Sequence, residues 1–482
     1  MLAARPFRDR VRELEALHRV WDARGSQFLV VWGRRRVGKT ALLREGVRGR
    51  RHVFLVADTQ REALLLEMFA SECARTLGPP GLGFRSWDAF FEYLSGAAAR
   101  ETLIVVLDEV GFLQEANPAF FSILQRQWDT SLSRTRIRLV LCGSSVSAME
   151  RQVLGYRSPL YGRRTGQLEV HPLGYAEARE FFPRALEDRR VEFYAVLGGV
   201  PAYLLQFDPS KDARTNVEER VFPPESYLHR EPRLLLLQEL RQPATYFSVL
   251  TAIAGGTTRF NEISQRSGLT PNTLGKYLGV LQELRLVRRE LPATEARPTR
   301  RRSQYRIADP FFAFWFRFVA PWAGSLEAAH TEVPRRRLFE DWDAHVGTVF
   351  EEVCRELVRD RPEVFGGPWE RVGRWWSGET EIDVAALDRR RSVLLLGECK
   401  WSTRRVEARV LDDLREKGGH VGGRWRQMRF ALFSRAGFTP GCIRQAGEGA
   451  LLLDLNRIRR LFEVRPDGET GGRLPGQRRG RS

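Results

Sequence analysis

Lysine is nearly absent from this sequence. Only five of its 78 basic residues are lysine, and the rest are arginine; the lysines are Lys39, Lys211, Lys276, Lys400 and Lys417. Arginine can replace lysine at most surface positions, but not where a compact and steerable point charge is needed. The lysines that remain are therefore candidates for functional roles.

Cysteine and long apolar runs are also scarce. The five cysteines are widely spaced, with no CxxC pair and no Cys/His spacing typical of zinc. The first residues, MLAARPFRDR, lack the apolar core of a signal peptide, and the aromatic run 311–319 is interrupted by Arg317. We expect a cytoplasmic protein with reduced thiols and no membrane segment.

Chain length and net charge limit the number of domains and the kind of partner. A chain of 482 residues is too long for one core and indicates about three domains. A net charge of +18 favours a polyanionic partner, because basic residues that neutralise phosphates release condensed counterions. A basic but inert surface is the alternative, and charge alone does not decide between them.

The stretch 28–45, FLVVWGRRRVGKTALLRE, has the form of a phosphate-binding loop between a strand and a helix. Its glycines let consecutive backbone N–H groups face phosphate oxygens in front of a helix N-terminus. The lysine supplies charge for the β- and γ-phosphates of ATP, and the threonine hydroxyl is placed to ligate Mg²⁺. The predicted nucleotide-binding residues of this loop are Gly33, Arg34, Arg35, Arg36, Val37, Gly38, Lys39, Thr40 and Ala41.

Two later apolar strands complete this expectation. The first, TLIVVLDEV, ends in Asp108, predicted to help hold Mg²⁺, and Glu109, predicted to be the catalytic carboxylate. The second, 137–142, is followed by Ser144 at the same edge of the sheet. Alternating strands and helices predict a parallel sheet with the ligand at the carboxyl ends of the strands.

These motifs resemble the archaeal and bacterial ATPases of the AAA+ and STAND-like group over the chain to about residue 207. Arg10 and Glu13 match an RxxE element near the adenine, although Asp9 stands where many members have glycine. Ser144 matches the sensor position, and Pro201 matches the proline of a lid motif that packs near the nucleotide.

The resemblance also implies an arginine finger in the sequence SPLYGRRTG, at Arg163 or Arg164, and leaves open which of them reaches the phosphate. Such a guanidinium stabilises charge on the transferred phosphoryl group. If it comes from a neighbouring subunit, hydrolysis requires a homo-oligomer. A solvated basic turn is the alternative interpretation.

The pattern of residues 245–290 differs from that of the preceding segment and predicts a helix-turn-helix. Thr270 and Pro271 open a second helix with leucines on one face, and a strand pair with an arginine-rich tip follows as a wing. Contact with DNA is favoured over docking of a protein. The candidate DNA-binding residues are Asn272, Thr273, Lys276, Arg300, Arg301 and Arg302.

The last third contains a second constellation. A hairpin centred between Arg390 and Arg391 would place Asp383 opposite Glu398, with Lys400 on the same face as Glu398. Two carboxylates and a lysine suit a Mg²⁺ ion that activates water against a phosphodiester.

This pattern resembles the PD-(D/E)xK nuclease core and, more closely, the DUF234 domain that follows the ATPase and winged helix in this family. The resemblance implies metal ligands at Glu351, Asp383 and Glu398, with Glu352 as a substitute for Glu351 and Lys400 as a catalytic residue. Ile382 stands where the pattern has proline.

The residue patterns and the resemblance together predict an α/β fold with six segments. These are a P-loop NTPase core with an AAA+-like parallel sheet (1–173), a helical lid (174–240), a winged helix-turn-helix (241–310), an aromatic connector (311–334), an α/β restriction-endonuclease-like domain (335–464) and a disordered basic tail (465–482). The predicted function is ATP hydrolysis with Mg²⁺ by a protein that binds DNA through the winged helix and carries a metal-dependent nuclease-like domain, whose cleavage activity the sequence leaves open. The alternatives are a nucleotide-gated scaffold whose last domain binds without cutting, and ATP binding without turnover.

Overall fold

The computed structural model of the chain describes residues 7–78, 81–240, 242–295 and 302–464. The polypeptide forms two compact units. The first consists of Met1–Leu173 and Gly199–Leu205, and the second of Gly174–Gly198 and Gln206–Ser482. Among the described residues, no helix combines the length and the apolar content needed to cross a membrane.

Helices occur throughout both units. Up to residue 240 they are α1 Val11–Asp22, α2 Lys39–Gly46, α3 Glu62–Leu77, α4 Trp87–Ala97, α5 Val110–Ala116, α6 Phe120–Thr130, α7 Val146–Met149, α8 Tyr175–Ala178, α9 Glu187–Leu197, α10 Pro201–Leu204, α11 Ala213–Arg220 and α12 Tyr227–Glu239. Beyond it they are α13 Pro243–Ala254, α14 Phe260–Ser267, α15 Pro271–Glu283, α16 Pro310–Phe318, α17 Ala323–Glu327, α18 Glu332–Asp360, α19 Pro362–Phe365, α20 Ala408–Gly419, α21 Pro440–Ala446 and α22 Leu455–Glu463.

The strands form three sheets. They are β1 Gln27–Trp32, β2 His52–Val56, β3 Leu103–Asp108, β4 Ile137–Gly143, β5 Gly166–Glu169, β6 Val287–Glu290, β7 Gln304–Ile307, β8 Arg371–Ser377, β9 Thr380–Asp388, β10 Val393–Lys400, β11 Gln427–Ser434 and β12 Ala450–Asp454.

The first unit is built on a five-stranded sheet in the order β2-β3-β4-β1-β5, and every neighbouring pair is parallel. Alternate residues of β1 enter two different apolar clusters: Phe28 and Val30 join one, and Leu29 and Val31 join the other. A sheet covered on both faces explains why its central strands are continuously apolar. The predicted parallel α/β core is confirmed.

The second unit contains a mixed sheet in the order β12-β11-β10-β9-β8. The β8-β9 and β9-β10 pairs are antiparallel, whereas β10-β11 and β11-β12 are parallel. Helices α13, α14 and α15 and the β6-β7 hairpin precede it. The long helix α18, with 29 residues, and α20 pack against this sheet.

The segment 174–240, predicted to form one helical lid, is divided between the two units. Residues Gly199–Leu205 belong to the first, because the N–H of Leu173 donates to the carbonyl of Gly199 at 2.8 Å. The contact is so close that a Cβ on Gly199 would lie 1.7 Å from the carbonyl oxygen of Leu173. Close backbone packing against Leu173 therefore places α10 in the first unit, which contains the parallel sheet.

Candidate nucleotide site and carboxylate site

The loop from Gly33 to Thr40 joins β1 to α2 and turns closely against the neighbouring backbone. Gly33 has φ +153°, and a Cβ there would lie 2.2 Å from the carbonyl oxygen of Val170. Gly38 has φ +96°, a conformation that other residues rarely adopt. The loop thus needs glycine at both positions.

Lys39 is the first residue of α2 and is buried beneath the loop. Its Nζ donates to the carbonyl oxygens of Gly33 and Arg34 at 2.8 and 2.9 Å. Burial lowers the pKa of Lys39, although Cys142, Glu109 and Asp108 act in the opposite direction. The ammonium therefore lies inside the loop, where it can exchange carbonyl partners for phosphate oxygens.

Thr40 and Asp108 connect the loop to the end of β3. The Thr40 hydroxyl donates to Oδ2 of Asp108 at 2.6 Å. Both groups are hard oxygen donors of the kind that Mg²⁺ prefers, so the residues present fit this ion.

Glu109 follows Asp108 in a left-handed conformation, with φ +54°. Its Oε1 accepts a hydrogen bond from the hydroxyl of Ser144, which follows the neighbouring strand β4. A left-handed non-glycine residue costs of order 1–3 kcal/mol and persists where its surroundings fix it. The structure thus brings the predicted catalytic and sensor residues together at one sheet edge.

Arg10 supports the loop from behind. It is almost fully buried, donates to the carbonyls of Val37 and His171 at 2.8 and 2.7 Å, and pairs with Glu13 at 2.6 Å. Both Asp9 and Arg10 have left-handed φ values, near +57° and +65°. This conformation explains why glycine suits the Asp9 position.

The lid proline and the two finger candidates lie in the same unit. A Cβ on Gly38 would lie 3.8 Å from Cγ of Pro201, so α10 borders the loop. Arg163 forms a bidentate ion pair with Asp129 at 2.8 Å, and Arg164 donates to the carbonyl of Leu154 at 2.9 Å. Both guanidiniums are engaged within their own protomer.

In the second unit, α14 and α15 form the predicted pair of helices. Leu274, Leu278 and Leu281 are buried, whereas Asn272 and Lys276 are exposed on the opposite side of α15. The remaining candidate on this helix, Thr273, is half-buried, and its hydroxyl hydrogen-bonds that of Thr270 at 2.9 Å.

The segment 291–295, which leads into the predicted wing tip, contacts the edge of the second unit's mixed sheet. Arg300 and Arg301 lie outside the described residues, but the segment before them pairs with the edge strand β8: the N–H of Ala293 donates to the carbonyl of Arg374 at 2.7 Å. Arg302 forms an ion pair with Glu295 of the same segment. The contact of the arginine-rich tip with a DNA backbone stays a prediction, and the structure adds that Ala293, ahead of this tip, is hydrogen-bonded to β8.

Asp383 and Glu398 face each other across β9 and β10. The register that pairs Val384 with Gly397 places these two residues opposite each other at the next position. Oδ2 of Asp383 accepts a hydrogen bond from the N–H of Cys399 at 2.9 Å. Burial, together with the charges of Glu351 and Glu398, raises the pKa of Asp383 to about 7.

Glu398 is neutralised by two lysines. Lys400 lies 2.7 Å from Oε1, and Lys417, on α20, lies 3.1 Å from Oε2. Burial tends to lower the pKa of Lys400, but Glu398 outweighs it and the pKa is raised. Sequence reasoning missed Lys417 here, although the scarcity of lysine was a signal that could have found it.

Glu351, on α18, is held by arginines. Its Oε2 lies 3.5 Å from nitrogens of both Arg355 and Arg374. Arg355 also donates to the carbonyl of Asp383 at 2.7 Å, so it ties α18 to β9. The substitute candidate Glu352 pairs instead with Arg288, Arg355 and Arg359, whose charges lower its pKa despite its burial.

The predicted three-carboxylate metal site is not assembled in this conformation. Within residues 7–78, 81–240, 242–295 and 302–464, no group of three or more Asp, Glu, His or Cys side chains is arranged to hold a metal ion. The physical reason is that arginines engage Glu351 and lysines engage Glu398. The oxygen donors Asp383 and Glu398 fit Mg²⁺ in type, but an ion there must displace a lysine.

Comparison with known proteins matches two parts of the chain. Residues 7–207 match a family described as an ATPase domain predominantly from Archaea, and residues 315–411 match DUF234, described as archaeal and bacterial proteins of unknown function. The uncharacterized protein MJECL04 of Methanocaldococcus jannaschii is 33% identical over 421 residues, which cover 86% of this chain and 92% of that protein.

Two solved structures match this chain at low sequence identity. The Walker-type ATPase PABY2304 of Pyrococcus abyssi is 21% identical, with 64% of this chain and 96% of that chain covered and a TM-score of 0.49. The Aeropyrum pernix ORC2 protein, in its ADPNP-ADP complexes, is 18% identical, with 68% and 97% covered and a TM-score of 0.46. Likenesses at this level do not assign a function.

Proposed function

The chain belongs to the archaeal and bacterial ATPase family in which an ATPase domain precedes a DUF234 domain, and on that premise we propose that it binds and hydrolyses ATP with Mg²⁺. One observation carries the proposal: the hydroxyl of Thr40 meets the carboxylate of Asp108 at 2.6 Å, next to Lys39 at the start of α2. Two hard oxygens on the loop and on β3 suit an Mg²⁺ ion shared with nucleotide phosphates.

Each residue of this site has a distinct role in the proposal. Lys39 exchanges its two carbonyl contacts for β- and γ-phosphate oxygens, and Arg10 keeps the loop in place through the Val37 carbonyl. Glu109 takes a proton from the attacking water or orients it, while Ser144 fixes its carboxylate. Bound Mg²⁺ supplies charge neutralisation between the phosphates.

An arginine finger completes the proposed hydrolytic site. Arg163 or Arg164 reaches the γ-phosphate of a neighbouring protomer, which makes hydrolysis depend on a homo-oligomer. Arg163 must then leave Asp129, an exposed pair of the kind worth only ~0–1 kcal/mol.

Replacing Thr40 with Val tests the magnesium role at this site. Valine keeps the shape but removes the hydroxyl ligand, so Mg·ATP affinity should fall at least about tenfold. ATP affinity in EDTA should stay unchanged, and calorimetric titration measures both. Thr130→Val, on the exposed end of α6, is the matched control. ATP binding by the wild-type protein that is independent of Mg²⁺ would contradict the proposal.

DNA is the second proposed ligand, bound through the exposed face of α15. Asn272 and Lys276 are exposed there, and Thr273 lies beside them. Short polar and cationic side chains on an exposed second helix suit phosphate and base-edge contacts. The net charge of +18 supports a polyanion as the partner.

Lys276→Ala should weaken duplex binding and reduce the slope of log affinity against log salt by about one, because one phosphate contact is lost. Fluorescence anisotropy over a salt series measures both quantities. Lys211→Ala removes a lysine that pairs with Glu219 at 2.6 Å and serves as the matched control. Equal slopes for the two variants would refute the role of α15.

We also propose that the carboxylate site (Glu351, Asp383, Glu398 and Lys400) cleaves a phosphodiester. Asp383 and Glu398 would hold Mg²⁺, which supplies an activated water. Lys400, freed from Glu398, stabilises the developing phosphate charge. Glu351 would join Asp383 and Glu398 in holding the ion only if its carboxylate left Arg355 and Arg374.

A second candidate function is a nucleotide-gated scaffold whose last domain binds without cutting. The observation that favours it is the neutralisation of Glu398 by two lysines and of Glu351 by two arginines. Such ion pairs compensate buried carboxylates without a metal ion. Metal-dependent cleavage decides between the two candidates.

A further inference from the structure

A polar cavity of about 430 Å³ opens between the start of α14, the base of β7 and the β8-β9 hairpin, all in the second unit. Arg302 is the one lining residue that the sequence had marked as a candidate for binding nucleic acid. Its lining residues are Arg259, Arg302, Ser303, Gln304, Trp376, Ser377 and Gly378. These include two guanidiniums, two hydroxyls and one indole, and no carboxylate lines the cavity among the residues that the structure describes.

The charge of the cavity is only partly compensated. Arg302 pairs with Glu295, but the exposed Arg259 forms no ion pair and no side-chain hydrogen bond among the described residues. Arg259 is also the N-cap residue of α14, so the backbone at this side of the cavity belongs to the positive end of that helix. Ser303, which is buried, accepts a hydrogen bond from Nε of Arg289 at 2.8 Å, so a third guanidinium lies behind the lining residues. The cavity is therefore suited to an anion.

The volume of the cavity and the indole of Trp376 indicate which kind of anion would fit. A volume of about 430 Å³ lies at the small end of the range of ~300–1,000 Å³ for small-molecule pockets, so it admits one nucleotide but not a duplex. Trp376 is 9% exposed and forms part of the wall. Bases stack on aromatic side chains while nearby cations track the phosphates in single-strand binding sites.

The cavity lies next to the carboxylate site along one strand. Trp376 pairs with Glu381 of β9, and Asp383 follows two residues later on the same face. Two residues of a strand span roughly 7 Å, a distance that one nucleotide can bridge. A strand held in the cavity would thus present its next phosphate to Asp383.

We propose that this cavity binds one nucleotide of a single strand, with its phosphate on Arg259 and Arg302 and its base against Trp376. Only the purpose of this binding, to feed the carboxylate site, rests on the proposed function. The ligand chemistry is a nucleoside monophosphate unit, and its source is a single strand or a frayed end of nucleic acid.

Anisotropy with a labelled single-stranded oligonucleotide and the matching duplex, both in EDTA, tests the proposal. The Arg259→Ala/Arg302→Ala double variant should bind the single strand about tenfold or more weakly, as expected for the loss of charge-assisted hydrogen bonds. Arg266→Ala, at the other end of α14, is the matched control and should bind within about twofold of wild type. Trp376→Leu tests the stacking part, with circular dichroism to check folding.

Three results would overturn the assignment. The first is a double variant that binds the single strand like wild type, and the second is a loss of duplex affinity in that variant as large as the loss for the single strand. The third is competition by free dAMP as strong as that by the oligonucleotide, because the ligand would then be a free mononucleotide and not a strand. Because EDTA removes the metal, the binding measurement is independent of cleavage. Absence of cleavage in a separate assay with Mg²⁺ would therefore refute the nuclease proposal and leave the cavity standing. Conversely, cleavage with unchanged single-strand affinity in the double variant would refute the cavity alone.

Discussion

Replacing Glu109 with Gln is expected to lower ATP turnover by about 10²–10⁴-fold, the usual contribution of a general base, while ATP binding stays near wild type. The amide keeps the size of the side chain and can still accept the hydrogen bond from Ser144. It cannot take a proton from water. A phosphate-release assay and calorimetric ATP titration measure the two effects separately.

Lys39→Ala gives the contrasting result. It removes the charge that lies under the loop, so ATP binding itself should be lost and turnover with it. Ser144→Ala should lower turnover less than Glu109→Gln does, since it frees the Glu109 carboxylate without removing it. Normal turnover by Glu109→Gln would show that another group activates the water, and binding without turnover in the wild-type protein would leave a nucleotide switch.

Asp383→Ala is expected to abolish metal-dependent cleavage of nucleic acid. Asp383 is the half-buried carboxylate opposite Glu398, and its loss leaves at most one strand carboxylate to hold an ion. The measurement uses labelled single- and double-stranded DNA and RNA, with Mg²⁺ or Mn²⁺, with and without ATP. A loss of at least ~10²-fold would match the removal of a metal ligand or its support.

Asp413→Asn is the control for this experiment, because Asp413 is an exposed carboxylate on α20 in the same unit. Cleavage that survives in Asp383→Ala but needs metal would move the chemistry elsewhere. If the wild-type protein cuts none of these substrates, the scaffold function takes its place. An effect of ATP on cleavage would show that the two sites are coupled.

The two strongest motifs were readable from local sequence because each depends on short-range geometry. The phosphate loop needs only a strand, two glycines and a helix start, and these lie within a single stretch of chain. The pairing of Asp383 with Glu398 follows from the centre of one hairpin, since antiparallel register is set by its turn.

The partners of these residues were not readable because they come from other elements. Lys417 reaches Glu398 from α20, and Arg355 and Arg374 reach Glu351 from a helix and an edge strand. These ion pairs depend on how α18 and α20 pack on the sheet, which local sequence does not show. In addition, an arginine-rich sequence offers too many candidate partners for each carboxylate. For the same reason, the sequence predicted the three carboxylate ligands but not the arginines that pair with Glu351 or the second lysine that pairs with Glu398.

The backbone pairing of Ala293 with Arg374 has a further consequence for solubility. A sheet edge with unpaired N–H and C=O groups is a template for aggregation, and natural proteins cover such edges. Here the edge of β8 is shielded by a segment that precedes the sheet domain in the chain, with Ala293 buried in the apolar cluster of that domain. A fragment that begins at residue 335 would expose this edge and lose that apolar contact, so it should self-associate, whereas a fragment that begins ahead of α13 should stay dispersed.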